Sequence, residues 1–171
     1  MKINIQPAQR AFLFVVIINM SLAGQVIAGS FEDAMRAKEE KHYEAAFSLL
    51  KPLAEQGDSL AQNEIGLMYQ FGDGLLKDYK LAHEWYLKSA KQGNGHAMFN
   101  LHALYFLGNG VPRDKVESYK WLILADKYLP DKAPAGEWIK QPMKEGRIQL
   151  TPEQIAEAER RMQEWIKELR D

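Results

Sequence analysis

The chain has no cysteine and a single threonine, Thr151, and valine and isoleucine are scarce beyond its first 28 residues. The absence of cysteine excludes a disulfide scaffold, a zinc site with cysteine ligands and a cysteine nucleophile. Valine and isoleucine together number 16, and eight of these lie in residues 1–28. Because residues 29–171 hold so few β-branched residues, they do not suit a sheet protein. The body of the chain is therefore predicted to be helical.

A surplus of charge of either sign is also missing. The 171 residues include 22 lysines and arginines and 23 acidic residues, which gives a formal net charge of −1. Proteins that bind nucleic acids normally carry a basic surplus, so the composition argues against that class. The length and the 46% hydrophobic content are those of one globular domain that can bury a core.

The first 28 residues have the order of a secretory signal peptide. Lys2 and Arg10 give a basic start, residues 11–18 form an apolar run, and small or aliphatic residues lead to a cleavage site after Ala28. The alternative is a retained membrane anchor, although Asn19 interrupts the apolar run well short of the roughly 20 residues that a span needs. We therefore expect a periplasmic or secreted protein, whose only membrane contact would be an uncleaved leader.

The body of the chain repeats itself with a period of 36 residues. Residues 61–96 align with residues 97–132, and residues 41–57 give a partial third copy. The identical pairs in the main alignment are Ala61/Ala97, Tyr69/Tyr105, Gly72/Gly108, Gly74/Gly110, Asp78/Asp114, Trp85/Trp121 and Lys91/Lys127. A fixed period of this length indicates stacked supersecondary units, none of which buries its apolar face alone.

Each unit is predicted to consist of two helices. Asp58 and Asp78 are placed to cap the two helices of the first unit, and the glycines of Gly72-Asp-Gly74 are placed to close its first helix. In the second unit, Gly108-Asn-Gly110 is predicted to close the first helix and Asp114 to open the second. Thr151, followed by proline and then by glutamine at the third helical position, predicts the start of a last helix. The predicted division is a leader (1–28), an N-terminal helical cap with a partial repeat (29–57), two repeats (58–93 and 94–129), an irregular connector (130–150) and a C-terminal capping helix (151–171).

The spacing of the small and aromatic residues resembles the Sel1-like repeat, a relative of the tetratricopeptide repeat. The matching residues are Ala61-Gln-Asn-Glu-Ile-Gly-Leu-Met-Tyr69, Gly72, Gly74, Asp78, Ala82, Trp85-Tyr86, Ala90 and Gly93. The resemblance implies an all-α fold of αα-hairpin repeats stacked in a short right-handed superhelix, or solenoid. It also implies an adaptor or binding surface without catalysis of its own, often in exported bacterial proteins.

The second repeat departs from the family pattern at four positions. His102 and Leu129 replace glycines, and Ser118 and Asp126 replace alanines. These departures put the close packing of this repeat in doubt and predict that it meets a non-repeat neighbour, the tail over 130–171.

No residue pattern nominates a catalytic or cofactor site. The four histidines, His42, His83, His96 and His102, lack the spacing of metal ligands. The Gly-x-Gly loops follow no strand and lack the Lys-Ser/Thr pair of a phosphate-binding loop. Trp85 and Trp121 have two possible roles. They could form a stacking platform for sugars or nucleic-acid bases, or they could pack in the core, which is more typical of tryptophans at equivalent repeat positions. We therefore expect no metal and no cofactor.

A partner site is predicted by analogy with tetratricopeptide geometry, in which the first helix of each pair lines a concave groove. The predicted groove residues are Leu60, Asn63, Leu67 and Gln70 in one repeat and His96, Phe99, Ala103 and Phe106 in the next. Phe99 and Phe106 are seven residues apart and share a helix face. They either form an exposed apolar partner site with Leu67 or pack beneath the tail helix.

The sequence thus predicts a non-enzymatic module that binds a peptide or protein partner in the groove. Two alternatives remain open: a cell-envelope enzyme or enzyme regulator that acts on cell-wall material, and a purely structural envelope protein.

Overall fold

The computed structural model describes residues 31–129 and 135–169, with the backbone alone at 135–138 and 146–148. The predicted leader over 1–28 lies outside these residues. All regular structure in the described ranges is helical, which confirms the all-α prediction. Among these residues no helix is both long and apolar enough to cross a membrane.

Eight helices follow one another along the described residues. They are α1 (31–39), α2 (Tyr43–Glu55), α3 (Ser59–Phe71), α4 (Tyr79–Ala90), α5 (Gly95–Leu107), α6 (Lys115–Tyr128), α7 (Ala135–Ile148) and α8 (Pro152–Glu168). The pairs α3–α4 and α5–α6 are the helical hairpins of the two repeats, and α1–α2 forms the shorter pair before them.

Side-chain caps fix where the repeat helices begin. The Asp58 carboxylate accepts a hydrogen bond from the Ala61 N–H at 2.8 Å, and Asp78 and Asp114 cap α4 and α6 in the same way. Asn94 caps α5. Such a cap contributes about 1 kcal/mol because it satisfies N–H groups that have no partner within the helix. The starts of α3, α4 and α6 are therefore encoded locally, as the sequence predicted, and Asn94 is a further cap that was not predicted from the sequence.

The two glycines of each Gly-x-Gly loop have different tasks. Gly72 and Gly108 close α3 and α5 in the left-handed conformation. Gly74 and Gly110, which also have positive φ, touch the preceding helical pair. A Cβ atom on Gly74 would lie 2.8 Å from the Tyr43 Cβ, and one on Gly110 would lie 2.6 Å from the Tyr79 carbonyl carbon. Because these tyrosines begin α2 and α4, the second glycine lets each pair stack on the one before it.

The core runs through the stack as two clusters of buried side chains. The first joins α1, α2 and α3, and the second extends from α4 to α8. Trp121 is only 1% exposed and belongs to the second cluster, so it is a core residue. Trp85 is half-buried against the first cluster, and the Lys88 Nζ lies 3.9 Å from the centroid of its ring.

The helices of the first repeat meet through a glycine and a tyrosine. Gly66 lies against the ring of Tyr86, where a Cβ atom would come within 2.5 Å of the tyrosine Cε1. Tyr86 is fully buried, and its hydroxyl donates a hydrogen bond to Gln70 at 2.8 Å. The glycine therefore makes room for a large ring between α3 and α4.

The second repeat fills the equivalent positions differently. His102 stands where the first repeat has Gly66, and the smaller Leu122 stands where it has Tyr86. The His102 Nδ1 lies 2.8 Å from the hydroxyl oxygen of Ser118, which replaces Ala82. The second repeat thus has a larger residue on α5 and a smaller one on α6 than the first repeat has at the equivalent positions, and its histidine is held by Ser118.

Residues 135–148 correct the prediction of an irregular connector over 130–150, because they form α7. Pro142 and the flanking glycines disfavour a helix locally, since proline lacks an N–H and clashes with the preceding turn. Ile139 is nevertheless buried, and Met143, one turn later, packs against the same core cluster. This tertiary packing against α6 outweighs the local cost.

The last helix, α8, begins as the sequence predicted and packs on α6. Thr151 and Gln154 form a reciprocal capping box with Pro152 in the first turn. The rings of Trp121 and Trp165 meet edge-to-face, with centroids 4.9 Å apart. The tail therefore covers the end of the second repeat, the neighbour that the departures in that repeat predicted.

Candidate functional site

A groove runs along the first helices of the three helical pairs, α1, α3 and α5. Its volume is about 320 Å³, and it is open to solvent. Its lining residues are Phe31, Leu60, Asn63, Glu64, Leu67, Asn94, His96, Phe99 and Asn100. We refer to these nine residues as the groove.

The apolar part of the groove comes from all three helices. Leu60 is 53% exposed, whereas Phe31, Leu67 and Phe99 are half-buried. Leu67 and Phe99 also pack against the larger core cluster, and Phe31 packs against the smaller one. Because their inner sides are held by the core, these side chains present apolar surface in fixed positions.

The polar part of the groove is a pair of side-chain amides next to a neutralised carboxylate. The Asn100 Nδ2 donates to the Asn63 Oδ1 at 3.0 Å, which links α5 to α3. The Asn63 Nδ2 donates in turn to the Glu64 Oε1 at 3.4 Å. Lys38 of α1 forms an ion pair with the other oxygen of Glu64, and both side chains are mostly buried. The groove therefore combines fixed amides with little net charge.

The structure brings together some of the predicted groove residues and separates others. Leu60, Asn63, Leu67, His96 and Phe99 line the groove. Gln70, Ala103 and Phe106 do not belong to its lining. Gln70 accepts the Tyr86 hydroxyl hydrogen bond and so has a role within the first repeat.

Phe106 has a different environment from Phe99, although both lie on α5. It lines a small cavity together with His102, Ser118 and Leu150, where Leu150 belongs to the segment between α7 and α8. The Arg113 guanidinium lies 5.6 Å from the centroid of the Phe106 ring. Neither alternative for the two rings describes both, since Phe99 faces the groove and Phe106 lies beside the tail.

Four lining residues were missed by the sequence reasoning: Phe31, Glu64, Asn94 and Asn100. Glu64 and Asn100 are equivalent by the 36-residue shift, and each follows a predicted groove position directly. If the predicted groove face of α3 and α5 had included the residue that follows each of these positions, both would have been found. No signal in the sequence marks Phe31, because its place depends on how α1 sits against α3 and α5.

Two of the four histidines, His83 and His102, are held by hydroxyl groups of neighbouring side chains. The Nε2 of His83 lies 3.1 Å from the Tyr105 hydroxyl, and His102 is bonded to Ser118. Burial lowers the pKa of His83 and the pKa of His102, so the neutral imidazole is favoured at both positions. In the described ranges no group of three histidine, aspartate or glutamate side chains is arranged to hold a metal ion.

A cluster of carboxylates gathers at the contact of α6 with α8. Arg161 binds Asp114 and Glu117 at 3.2 Å and Glu157 at 2.8 Å. Hydrogen bonds from Arg160 and Arg161 lower the pKa of Glu157 to about 2. Burial raises the pKa of Asp114, but its hydrogen bonds as a helix cap and with Arg161 outweigh this effect and lower it overall. These carboxylates are tied to arginines, and their evident role is to hold α8 on the second repeat.

The comparisons with known proteins agree with the repeat architecture. The family model described as Sel1 repeat matches residues 59–94 and 95–125. No curated protein matches the chain.

Solved structures give two informative neighbours. One is a protective antigen present in uropathogenic Escherichia coli strains that displays an SLR fold; it has a TM-score of 0.73 and 24% identity over 82% of this chain. The other is a Sel1 repeat protein from Oxalobacter formigenes, with a TM-score of 0.58 and 33% identity over 66% of this chain. The chain spans 30% and 44% of the lengths of these two proteins, respectively. The first likeness concerns the fold alone, and both agree with a helical repeat superhelix.

Proposed function

Because this chain is a Sel1-like repeat protein, we propose that it binds an extended peptide segment of a partner protein in the groove along α1, α3 and α5. Sel1 repeats are generally protein-interaction modules, which makes a protein or peptide the natural class of partner. The observation that carries the proposal is the groove itself, in which apolar side chains from three helices flank a fixed pair of amides.

The groove chemistry suits a peptide with apolar side chains and little charge. Leu60, Leu67, Phe31 and Phe99 offer surface on which such side chains lose contact with water. The hydrogen bond from the Asn100 Nδ2 to Asn63 fixes the orientation of the Asn100 carboxamide, so that its Oδ1 is placed to accept a peptide N–H. An extended peptide needs such partners because its backbone groups leave water on binding.

We also propose that this binding takes place in the periplasm or after secretion. The basic start, the apolar run and the small residues before Ala28 support export. Sequencing the N-terminus of the protein recovered from a periplasmic fraction tests this part, and the expected first residue is Gly29. Recovery of the protein with residues 1–28 still attached, in the membrane fraction alone, would instead identify a retained anchor.

Replacing Phe99 with alanine should weaken peptide binding by about thirty-fold, which corresponds to the roughly 2 kcal/mol of a buried aromatic anchor in an interface. Peptides are first selected from a displayed random library on the wild-type protein, and their dissociation constants are then measured by titration calorimetry for both proteins. Circular dichroism checks that the variant keeps its helicity.

The matched control is Leu107→Ala, on the same helix as Phe99. Leu107 is 62% exposed and lies outside the groove, so its removal should change the dissociation constant by less than a factor of two. Selected peptides that bind Phe99→Ala as tightly as the wild type, or a selection that yields no binder, would refute the groove assignment.

A further inference from the structure

The loops that join the two helices of each repeat lie along one edge of the stack. The loop after α3 touches the start of α2 through Gly74, and the loop after α5 touches the start of α4 through Gly110. Successive loops are therefore neighbours. We refer to residues 71–80 and 107–115 together as the turn edge.

Three large apolar side chains are exposed on the turn edge. Leu76 is 90% exposed, Leu107 62% and Phe71 59%. Phe71 and Leu107 are equivalent positions of the two repeats, since they are 36 residues apart. Single exposed apolar residues are ordinary. Three of them on one edge, two at equivalent positions of the repeats, form an apolar surface on that side of the molecule.

The exposed charge on the turn edge is positive. Lys77, Lys80, Arg113 and Lys115 are exposed there. The three acidic residues in the same ranges, Asp73, Asp78 and Asp114, are half-buried, and the last two serve as helix caps. The chain as a whole has a formal net charge of −1, so this edge differs in sign from the average of the molecule.

We propose that the turn edge docks on the surface of an anionic lipid bilayer. Leu76 enters the interface between headgroups and acyl chains, and Lys77 and Arg113, at equivalent positions of the two loops, contact lipid phosphates. Apolar side chains next to basic ones are the combination that binds anionic membranes, and each basic residue near such a surface raises the affinity about five-fold.

A lipid surface fits the shape of this edge better than an acidic protein does. Leu76 lies within the loop between α3 and α4 and makes little contact with the rest of the protein, since it is 90% exposed. A bilayer accepts such a projecting side chain without a matching pocket, whereas a protein partner has to supply one. The sequence suggested membrane contact only through the leader, so the turn edge is a second contact, independent of the proposed groove function.

The absence of cysteine makes the test direct. Leu76→Cys gives the full-length chain a single thiol, which is labelled with an environment-sensitive nitrobenzoxadiazole dye and mixed with phosphatidylglycerol or phosphatidylcholine vesicles. We expect the emission to shift to the blue with the anionic vesicles only, and the shift to shrink as salt screens the charges.

The control label is placed at Lys91→Cys, in the turn between α4 and α5. A Cβ atom on Gly93 in this turn would lie 3.3 Å from the ring of Tyr128 at the end of α6, so the turn belongs to the opposite edge. A leader that binds vesicles acts equally on both labelled proteins, and only docking of the turn edge distinguishes them.

Charge reversal completes the experiment. Lys77→Glu with Arg113→Glu should weaken vesicle binding of the protein labelled at position 76 by about twenty-five-fold or more, from the five-fold per residue. Lys91→Glu with Lys127→Glu changes the net charge equally on the opposite edge and should leave the shift in place. All four residues are exposed, and circular dichroism confirms that the helices persist.

The proposal is overturned if the emission of the dye at position 76 does not shift, or if it shifts equally with phosphatidylcholine vesicles. It is also overturned if the dye at position 91 shifts as much, or if both charge-reversal pairs lose vesicle binding equally. A shift with soluble polyglutamate as large as that with anionic vesicles would assign the edge to an acidic protein partner instead. Peptide binding in the groove is measured separately, so either proposal can fail alone.

Discussion

Replacing Gly110 with valine is expected to destabilise the protein by about 3 kcal/mol or more, from backbone strain together with overpacking. Gly110 has φ +71, a conformation that costs a residue with a side chain about 1–2 kcal/mol. The new Cβ would also lie 2.6 Å from the carbonyl carbon and 2.8 Å from the carbonyl oxygen of Tyr79. Because these are backbone atoms, no change of rotamer relieves the clash, and the two repeats must separate.

Gly57→Val is the control variant, because it introduces backbone strain without a steric clash with another helical pair. Gly57 also has positive φ, but a Cβ atom there would have no neighbour within 4 Å. The φ of Gly57 is +99°, further from the left-handed α region than that of Gly110, so strain alone costs at least as much there. Urea denaturation of both variants should therefore show a loss of about 1–3 kcal/mol for Gly57→Val and a larger loss for Gly110→Val. Equal losses would mean that the contact with Tyr79 does not limit the stacking of the repeats.

The helix boundaries of the repeats were predictable because their signals are local. Asp58, Asp78 and Asp114 each satisfy N–H groups two or three residues away, and Gly72 ends a helix through its own backbone conformation. Interactions over this range can be recognised in the sequence of one unit. The 36-residue period then predicted that the units stack, since equivalent units must bury equivalent faces against their neighbours.

The task of Gly110 was not predictable in the same way. The sequence assigned both glycines of the loop to closing a helix, and only the structure shows the second one against Tyr79. That contact joins residues 31 positions apart, in different helical pairs. α7 escaped prediction for a related reason, because the packing of Ile139 against the core outweighs what Pro142 dictates locally.

The groove was predicted in its position but not in its full lining. The expectation that first helices line it follows from the repeat pattern, and Leu60, Asn63 and Phe99 are on it. Phe31 reaches the groove from α1. Phe106 shares a helix face with Phe99 but lines a separate small cavity together with Leu150 of the tail. A periodic sequence predicts what each repeat presents, whereas the neighbours at the two ends of the stack decide what remains accessible.

The two repeats carry different residue pairs at equivalent positions, Gly66 with Tyr86 in the first and His102 with Leu122 in the second. Transferring the second pair into the first repeat is predicted to have the second large effect. Gly66→His alone should destabilise the protein by about 2–3 kcal/mol, since overpacking a well-filled core costs this much. The histidine Cβ would lie 2.5 Å from the Cε1 of Tyr86, a ring that is fully buried and held by Gln70. Tyr86→Leu alone should also destabilise, by about 2–4 kcal/mol, because it leaves a cavity between α3 and α4.

Together the two substitutions should cost less than their sum, with a favourable coupling of about 2 kcal/mol in a double-mutant cycle. The pair recreates His102 and Leu122, which occupy the equivalent positions of the second repeat. Adding Ala82→Ser should recover further stability, since Ser118 at the matching position binds the imidazole of His102. Urea denaturation of the single, double and triple variants measures each step. Additive losses would show that His102, Leu122 and Ser118 do not compensate one another as a set that can be transferred to the first repeat.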